Sequence, residues 1–392
     1  FESPLKFAAR RAEGERALPG WSAPHETRLR AWIRKEPCSF GWDWGPVLTS
    51  SGIWRPIEIV AFNTVRITDL RIRQDHSRFK QGIVGLDIDA AAEVCPGAGP
   101  LEALGRVFYK GGVIADARGE WVDGRVSLHI DVRNAQLWWP AGLGDQPLYE
   151  VALDVQRERV NLAHAARRIG LRTLRLDRHA DAWGESFQFV VNDVPFFAKG
   201  ANWIPADAFV TRLSRVEYAR LVKAAVVANM NMLRVWGGGI YESDAFYDLC
   251  DEYGVCVWQD FMFACATYPV FDEAWLENVR VEAEQNVRRL RHHPSIALWC
   301  GNNELEQGLV GDTWNDHQMS WADYGALFDR LLPGVVRDLD PDRGYWPCSP
   351  HTPPPGDRRD HGDPARGDAH LWAVWHGRQP FEWYRTAYHR FC

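Results

Sequence analysis

The chain changes its hydrophobic rhythm along its length. From about residue 63 to 177, apolar and polar residues alternate with period two. The clearest runs are Val65-Arg66-Ile67, Ile83-Val84-Gly85-Leu86-Asp87-Ile88, Val126-Ser127-Leu128-His129-Ile130 and Leu148-Tyr149-Glu150-Val151-Ala152-Leu153. Period two turns one face of an extended strand inward and the other to water. No long helical pattern interrupts these runs, so residues 63–177 predict an immunoglobulin-like β-sandwich. Residues 1–62 hold two strand-like runs, Leu29–Arg34 and Trp54–Val60, with turn residues between them. They predict part of a sandwich, too short to be a whole one.

After about residue 185 strands alternate with helices. Predicted strands are Phe196–Lys199, Met232–Val235, Val255–Gln259, Ile296–Cys300, Tyr345–Cys348 and His370–Val374. Predicted helices are Arg215–Ala228, capped by Ser214, then Ser243–Tyr253, Trp275–Arg291, Ala322–Asp338 and Phe381–Tyr388. Repeated βα units build a parallel sheet, and this many favour a (β/α)₈ barrel over residues 178–392. Phe391-Cys392 reads as the start of a seventh strand. The expectation is therefore a barrel that is incomplete, in a chain cut at both ends.

Composition narrows the class. Of 392 residues, 46% are hydrophobic and 25% charged, which is globular rather than disordered. The longest stretch without Asp, Glu, Lys or Arg runs from Gly344 to Gly356 and is rich in proline. That is shorter than the roughly 20 apolar residues of a membrane helix, so no membrane partner is expected. A net charge of −7 disfavours nucleic acid as a partner. Twenty tryptophans are many for this length; such rings either stack on sugar faces or fill the core. The eight cysteines show neither CxxC nor zinc-ligand spacing and read as buried free thiols. No metal or organic cofactor is implied. Compartment and oligomeric state cannot be read from the sequence.

Barrel enzymes work at the C-terminal ends of their strands. Those ends carry Lys199–Asp207, Arg234–Glu242, Gln259–Met262, Trp299–Glu304 and Gly367–Trp372, the last running on to Trp375-His376. Glu304 follows the apolar strand Ile296-Ala297-Leu298-Trp299. Burial there should raise its pKa, which suits a general acid, with Asn303 beside it as a donor to a substrate hydroxyl. The alternative is that Glu304 caps the next segment or pairs with an arginine. Gly237-Gly238-Gly239 lacks the phosphate-loop patterns and reads as a tight turn that permits close approach. Arg234 either contacts substrate or pairs with a barrel carboxylate. The segment His351–His361 reads as a solvated loop, and no GxSxG elbow occurs.

These motifs together carry a resemblance. Trp299-Cys300-Gly301-Asn302-Asn303-Glu304 resembles the Asn-Glu acid/base motif of retaining (β/α)₈ glycosidases. Gly41-Trp42-Asp43-Trp44-Gly45-Pro46, followed by Gly52-Ile53-Trp54-Arg55, resembles the N-terminal domain of glycoside hydrolase family 2 β-mannosidases. Lys199–Asp207, Arg234–Glu242 and His370–His376 match that family in the same order. The resemblance implies a jelly-roll domain, an immunoglobulin-like domain and a catalytic TIM barrel. It implies exo-hydrolysis of terminal β-mannosyl residues with retention, and β-mannoside oligosaccharides as the partner. Glu304 would be the acid/base, Asp43 would reach the sugar hydroxyls, Trp236 would contact the sugar and Asn303 its 2-hydroxyl. His370, Trp372 and Trp375 would line the entrance, with Trp314 a weaker wall candidate. Trp44 and Asn202 lie in the matched motifs and are counted with the sugar-binding residues.

One departure stands out. A retaining glycosidase needs two carboxyl groups about 5 Å apart. The family's nucleophilic Glu lies in the context Arg-Phe-x-Ser-Glu-Phe-Gly, whereas this sequence reads Arg390-Phe391-Cys392 and ends. Glu382 lies on a helical stretch and Asp260 on the third strand, so neither is promoted to nucleophile. The 392 residues are expected to be inactive by double displacement. The other readings are a family 2 exo-glycosidase such as a β-galactosidase, and a non-catalytic sugar-binding protein.

Overall fold

The computed structural model describes residues 1–16, 18, 20, 25–310, 319–387 and 390. Trp314 and the Phe391-Cys392 strand start lie outside the described residues. Period-two alternation in the middle region becomes two facing antiparallel sheets. One holds Val65–Asp75, Ile83–Val94 and Arg125–Arg133; the other orders Gly112–Glu120, Glu102–Tyr109, Tyr149–Arg157 and Val160–Ile169. Register places Leu86 opposite Ile130 and Ile88 opposite Leu128. All four pack with Val107, Val151 and Leu153 of the second sheet. Each such buried side chain stabilises the fold by about 1.5–3 kcal/mol, and a one-residue slip would expose the set.

Next, a small antiparallel sheet of Leu174–Asp177, Gln188–Val191 and Val194–Phe196 packs Phe187 and Phe189 against Trp258, Leu298 and Trp346. Beyond it lies a five-stranded parallel sheet in sequential order: Gly200–Trp203, Met232–Val235, Cys256–Asp260, Ile296–Cys300 and Gly344–Trp346. The two central strands are buried at every position. That is why Ile296–Cys300 reads as an unbroken apolar run, while the other ends in Gln259 and Asp260, which are buried with hydrogen-bond partners in Tyr247 and Arg234. Helices Arg215–Val227, Asp244–Tyr253 and Glu273–Leu290 connect the first four strands. None of the helices among the described residues is long and apolar enough to cross a membrane.

Several predicted elements differ. Leu29–Arg34 is no strand: His25–Trp32 forms a 3₁₀ turn that buries Ala31 and Trp32 against the parallel-sheet core. Trp54–Val60 has no regular structure, and its Ile57 and Ile59 face solvent. Its Pro56 lacks an amide donor, and no strand of the described residues pairs with it. The first parallel strand begins at Gly200, not Phe196, because Phe196 is already paired with Phe189 in the antiparallel sheet. A Cβ at Gly200 would lie 1.8 Å from the Met232 carbonyl, so only glycine can open that ladder.

His370–Val374 is not a sixth strand. The fifth strand stops at Trp346, before Pro347, and leaves no ladder to join. The predicted helix Ala322–Asp338 is split by a π-helical stretch, Gly325–Leu331, before Pro333. Phe381–Tyr388 shrinks to the 3₁₀ turn Phe381–Arg385. The described cysteines are free, but Cys38 and Cys95 are only half-buried.

Candidate active site

The ends of the first four parallel strands converge on one guanidinium. Arg234 donates from Nη2 to Asp260 Oδ2 at 2.8 Å and from Nε to Oδ1 at 3.2 Å. It also donates to Asn303 Oδ1 at 3.0 Å and to Asn202 Oδ1 at 3.3 Å. Asp260 accepts two more bonds, from the Gly237 amide and the Trp258 indole, each 3.0 Å. Burial pushes the Asp260 carboxyl above its ordinary range, while Arg234 and the Gly237 amide pull it back. Of the two readings left open for Arg234, the structural pairing is the one formed. That pairing sets the spacing of Asn202, Asp260 and Asn303.

The fourth strand delivers Glu304. Asn303 is bridged on one side to Ala264 and on the other to Ser349. The Glu304 amide donates to the Ser349 carbonyl at 2.9 Å. This lattice holds Glu304 at φ +65°, a conformation that L-residues rarely adopt. Glu304 does not cap the next helix through its side chain; Asn302 does, accepting from the Leu305 amide at 3.1 Å.

Three groups surround the Glu304 carboxyl. His370 Nδ1 lies 2.7 Å from Oε1, Trp372 Nε1 donates to Oε1 at 2.9 Å, and the Cys265 thiol donates to Oε2 at 3.3 Å. The expected upward pKa shift is not found. Burial does push the group up, but His370, Trp372 and Cys265 together outweigh it and hold Glu304 at about 2. Sequence reasoning counted burial and missed the donors that favour the charged form.

Trp236 forms a separate wall. Its ring meets Trp42 edge-on at 4.8 Å and Trp44 at 5.8 Å. The glycine run is needed for this: a Cβ on Gly238 would lie 1.9 Å from the Trp236 ring, and one on Gly237 2.4 Å from the Phe263 carbonyl. Asp43 is exposed at the tip of the hairpin Phe40–Trp42/Gly45–Val47. Trp375 is 74% exposed and touches His376, not the Glu304 cluster. Thus Glu304, His370 and Trp372 are brought together, as are Arg234, Asn202 and Asn303; Trp375 stands outside both groups. Two cavities of about 770 and 250 Å³ lie against the N-terminal segment, and neither is lined by Glu304.

Cys265, Ser349 and Asp368 were not anticipated as site residues. Nor was His351, which is buried rather than solvated and bonds Glu306 at 2.8 Å. Asp368 had a signal: it lies in the Gly367–Trp372 motif two residues before His370. Cys265 and Ser349 had none, because bridges between distant loops place them.

A fold of sandwich plus parallel sheet, with a carboxylate and aromatic rings at the strand ends, fits the comparisons with known proteins. Residues 1–55 match the family described as glycosyl hydrolase 2 galactose-binding domain-like. β-Mannosidase B of Emericella nidulans is 39% identical over 92% of this chain and 43% of its own length. The Aspergillus oryzae β-mannosidase B is 38% identical over the same shares. The β-D-mannosidase of Dictyoglomus thermophilum superposes with TM-score 0.90 at 39% identity, covering 100% of this chain and 47% of that one. Over nearly its whole length the chain is similar to β-mannosidases, of whose curated length it spans 43%.

Proposed function

We propose that this chain carries the acid/base half of a retaining exo-β-mannosidase site, acting on terminal, non-reducing β-D-mannosyl residues. The sandwich is read as immunoglobulin-like, the parallel sheet as an incomplete TIM barrel and residues 1–62 as part of a jelly-roll domain. The observation that carries the reading is Glu304 itself: a carboxylate after the fourth parallel strand, next to Asn303 and under the Trp372 indole. Relatives at 38–39% identity named β-mannosidases support a manno-configured sugar. Asp43, Trp44, Asn202, Trp236 and Asn303 are the sugar-binding residues of this reading, with His370, Trp372 and Trp375 toward the entrance. Among the described residues, His370, Trp372 and Cys265 hydrogen-bond the Glu304 carboxyl. This reading assigns the nucleophile, required about 5 Å away by the retaining route, to a residue outside the described ones.

The test offers the purified 392-residue chain aryl β-mannoside and a mannose-configured lactam, each beside its galactose counterpart. The lactam should bind with a manno preference of about tenfold or more, roughly the worth of one well-made hydrogen bond, and no product should accumulate at enzyme rates. Turnover at enzyme rates would refute the missing nucleophile. Equal binding of both sugars would refute the mannoside reading.

A further inference from the structure

Glu304 is the end of a longer hydrogen-bonded chain. His370 Nε2 lies 2.9 Å from the Ser349 hydroxyl, which lies 2.5 Å from Asp368 Oδ2. The other Asp368 oxygen accepts from the Trp346 indole at 2.8 Å and the His351 amide at 3.0 Å. Ser349 and Asp368 are both buried.

The donors can be counted. A serine hydroxyl has one hydrogen, and an ionised carboxylate can only accept. Asp368 meets donors at both oxygens, so the Ser349 hydrogen points to Asp368. The Ser349 oxygen must then accept from His370 Nε2–H. With Nε2 protonated, a single proton remains to be placed between His370 Nδ1 and Glu304 Oε1. If it sits on Nδ1, the pair is imidazolium and carboxylate; if on Oε1, it is neutral imidazole and carboxylic acid.

We propose that Asp368 and Ser349 are positioning residues that keep His370 protonated at Nε2, making His370 the proton reservoir of Glu304. This rests on the acid/base reading of Glu304 given above. At rest the pair is imidazolium and carboxylate. When the glycosidic C–O bond breaks, its electron pair stays on the leaving oxygen; the Nδ1 proton passes to Glu304 and on to that oxygen, leaving Glu304 a carboxylate and His370 a neutral imidazole that still carries Nε2–H. In the return step, a water attacking the sugar gives its proton to Glu304, and it passes back to Nδ1. A glutamate held charged by its donors can thus act as an acid. The other titratable groups nearby are accounted for. Cys265 meets the opposite Glu304 oxygen; Glu306 is taken by His351, Arg358 and Tyr324; His361 lies within electrostatic reach of Glu304.

The test is ¹⁵N NMR of the histidine-labelled 392-residue chain, with His370 assigned by loss of its signals in His370→Gln. Near neutral pH, Nε2 should appear in the protonated range. In Asp368→Asn, the new amide N–H can donate to Ser349, whose hydrogen then turns to His370. Nε2 should move to the unprotonated range. Ser349→Ala removes the acceptor and should also shift Nε2. An unprotonated Nε2 in the parent chain would overturn the proposal, as would unchanged ring signals in both variants. The measurement reads ring protonation whether or not any mannoside is bound or cleaved. A failed proton arrangement is therefore distinct from a failed substrate assignment.

Discussion

Glu304 combines an unfavourable backbone with a favourable charge environment. The left-handed conformation costs a non-glycine residue about 1–2 kcal/mol. The bonds on either side of Asn303 impose it, and it aims the carboxyl at His370 and Trp372. Those donors lower the folded pKa to about 2 from the ordinary 4.5. A depressed carboxyl pKa stabilises the fold above the unfolded value, and that stability is lost as pH falls through the folded one. The shift corresponds to something on the order of 3 kcal/mol, present above about pH 4.5 and gone below about pH 2. Glu304→Gln cannot titrate. Urea unfolding should therefore show the parent chain more stable near neutrality, with the two midpoints converging between about pH 5 and pH 2. Parallel curves across that range would mean that the three donors do not hold Glu304 charged.

At the scale of elements, local signals worked where an element's partners lie close in sequence. Ser214 opens the helix Arg215–Val227 as expected, with a complete capping box. Its hydroxyl accepts from the Val216 amide at 3.2 Å, and Glu217 accepts from the Ser214 amide at 2.9 Å. Ser214→Ala should lower unfolding free energy by about 1 kcal/mol in urea titration with the m-value unchanged; a change below about 0.3 kcal/mol would deny the box its role. The sandwich strands were legible for a similar reason, since one wet face and one dry face print period two into the chain. The misread strands share a different cause. Phe196, Trp54–Val60 and His370–Val374 all have β-compatible residues, but whether they form strands depends on a neighbour's free edge, which no local pattern encodes. The site was legible in the same proportion. Glu304, Asn303 and Trp236 announce themselves by position after strands. The lowered charge state of Glu304 does not, because it depends on His370 and Cys265 arriving from other loops.

For the whole molecule, the N-terminal segment is an integral part of the parallel-sheet domain. Two arginines fasten it. Arg30 donates to the Cys265 carbonyl at 2.7 Å, and its guanidinium lies 4.6 Å from the centre of the Trp42 ring. Arg34 donates to the Met262 carbonyl at 3.0 Å and makes a two-pronged pair with Glu282, at 2.8 and 2.9 Å, while lying over Phe263. Both thus grip the 262–265 loop, whose Cys265 thiol meets Glu304. Arg34 is 9% exposed and Glu282 22%, so removing either charge strands the other in a poorly solvated place. Arg34→Met and Glu282→Leu should each cost about 2–3 kcal/mol of unfolding free energy, somewhat below the range for fully buried pairs. The double variant should recover part of that loss, because no lone charge remains. The loss should also reach the site: with the loop loosened, Cys265 no longer holds Oε2, and the Glu304 pKa should rise in Arg34→Met. Two single variants within 0.5 kcal/mol of the parent, with the Glu304 titration unmoved, would show that the arginine clamp and the carboxylate are independent.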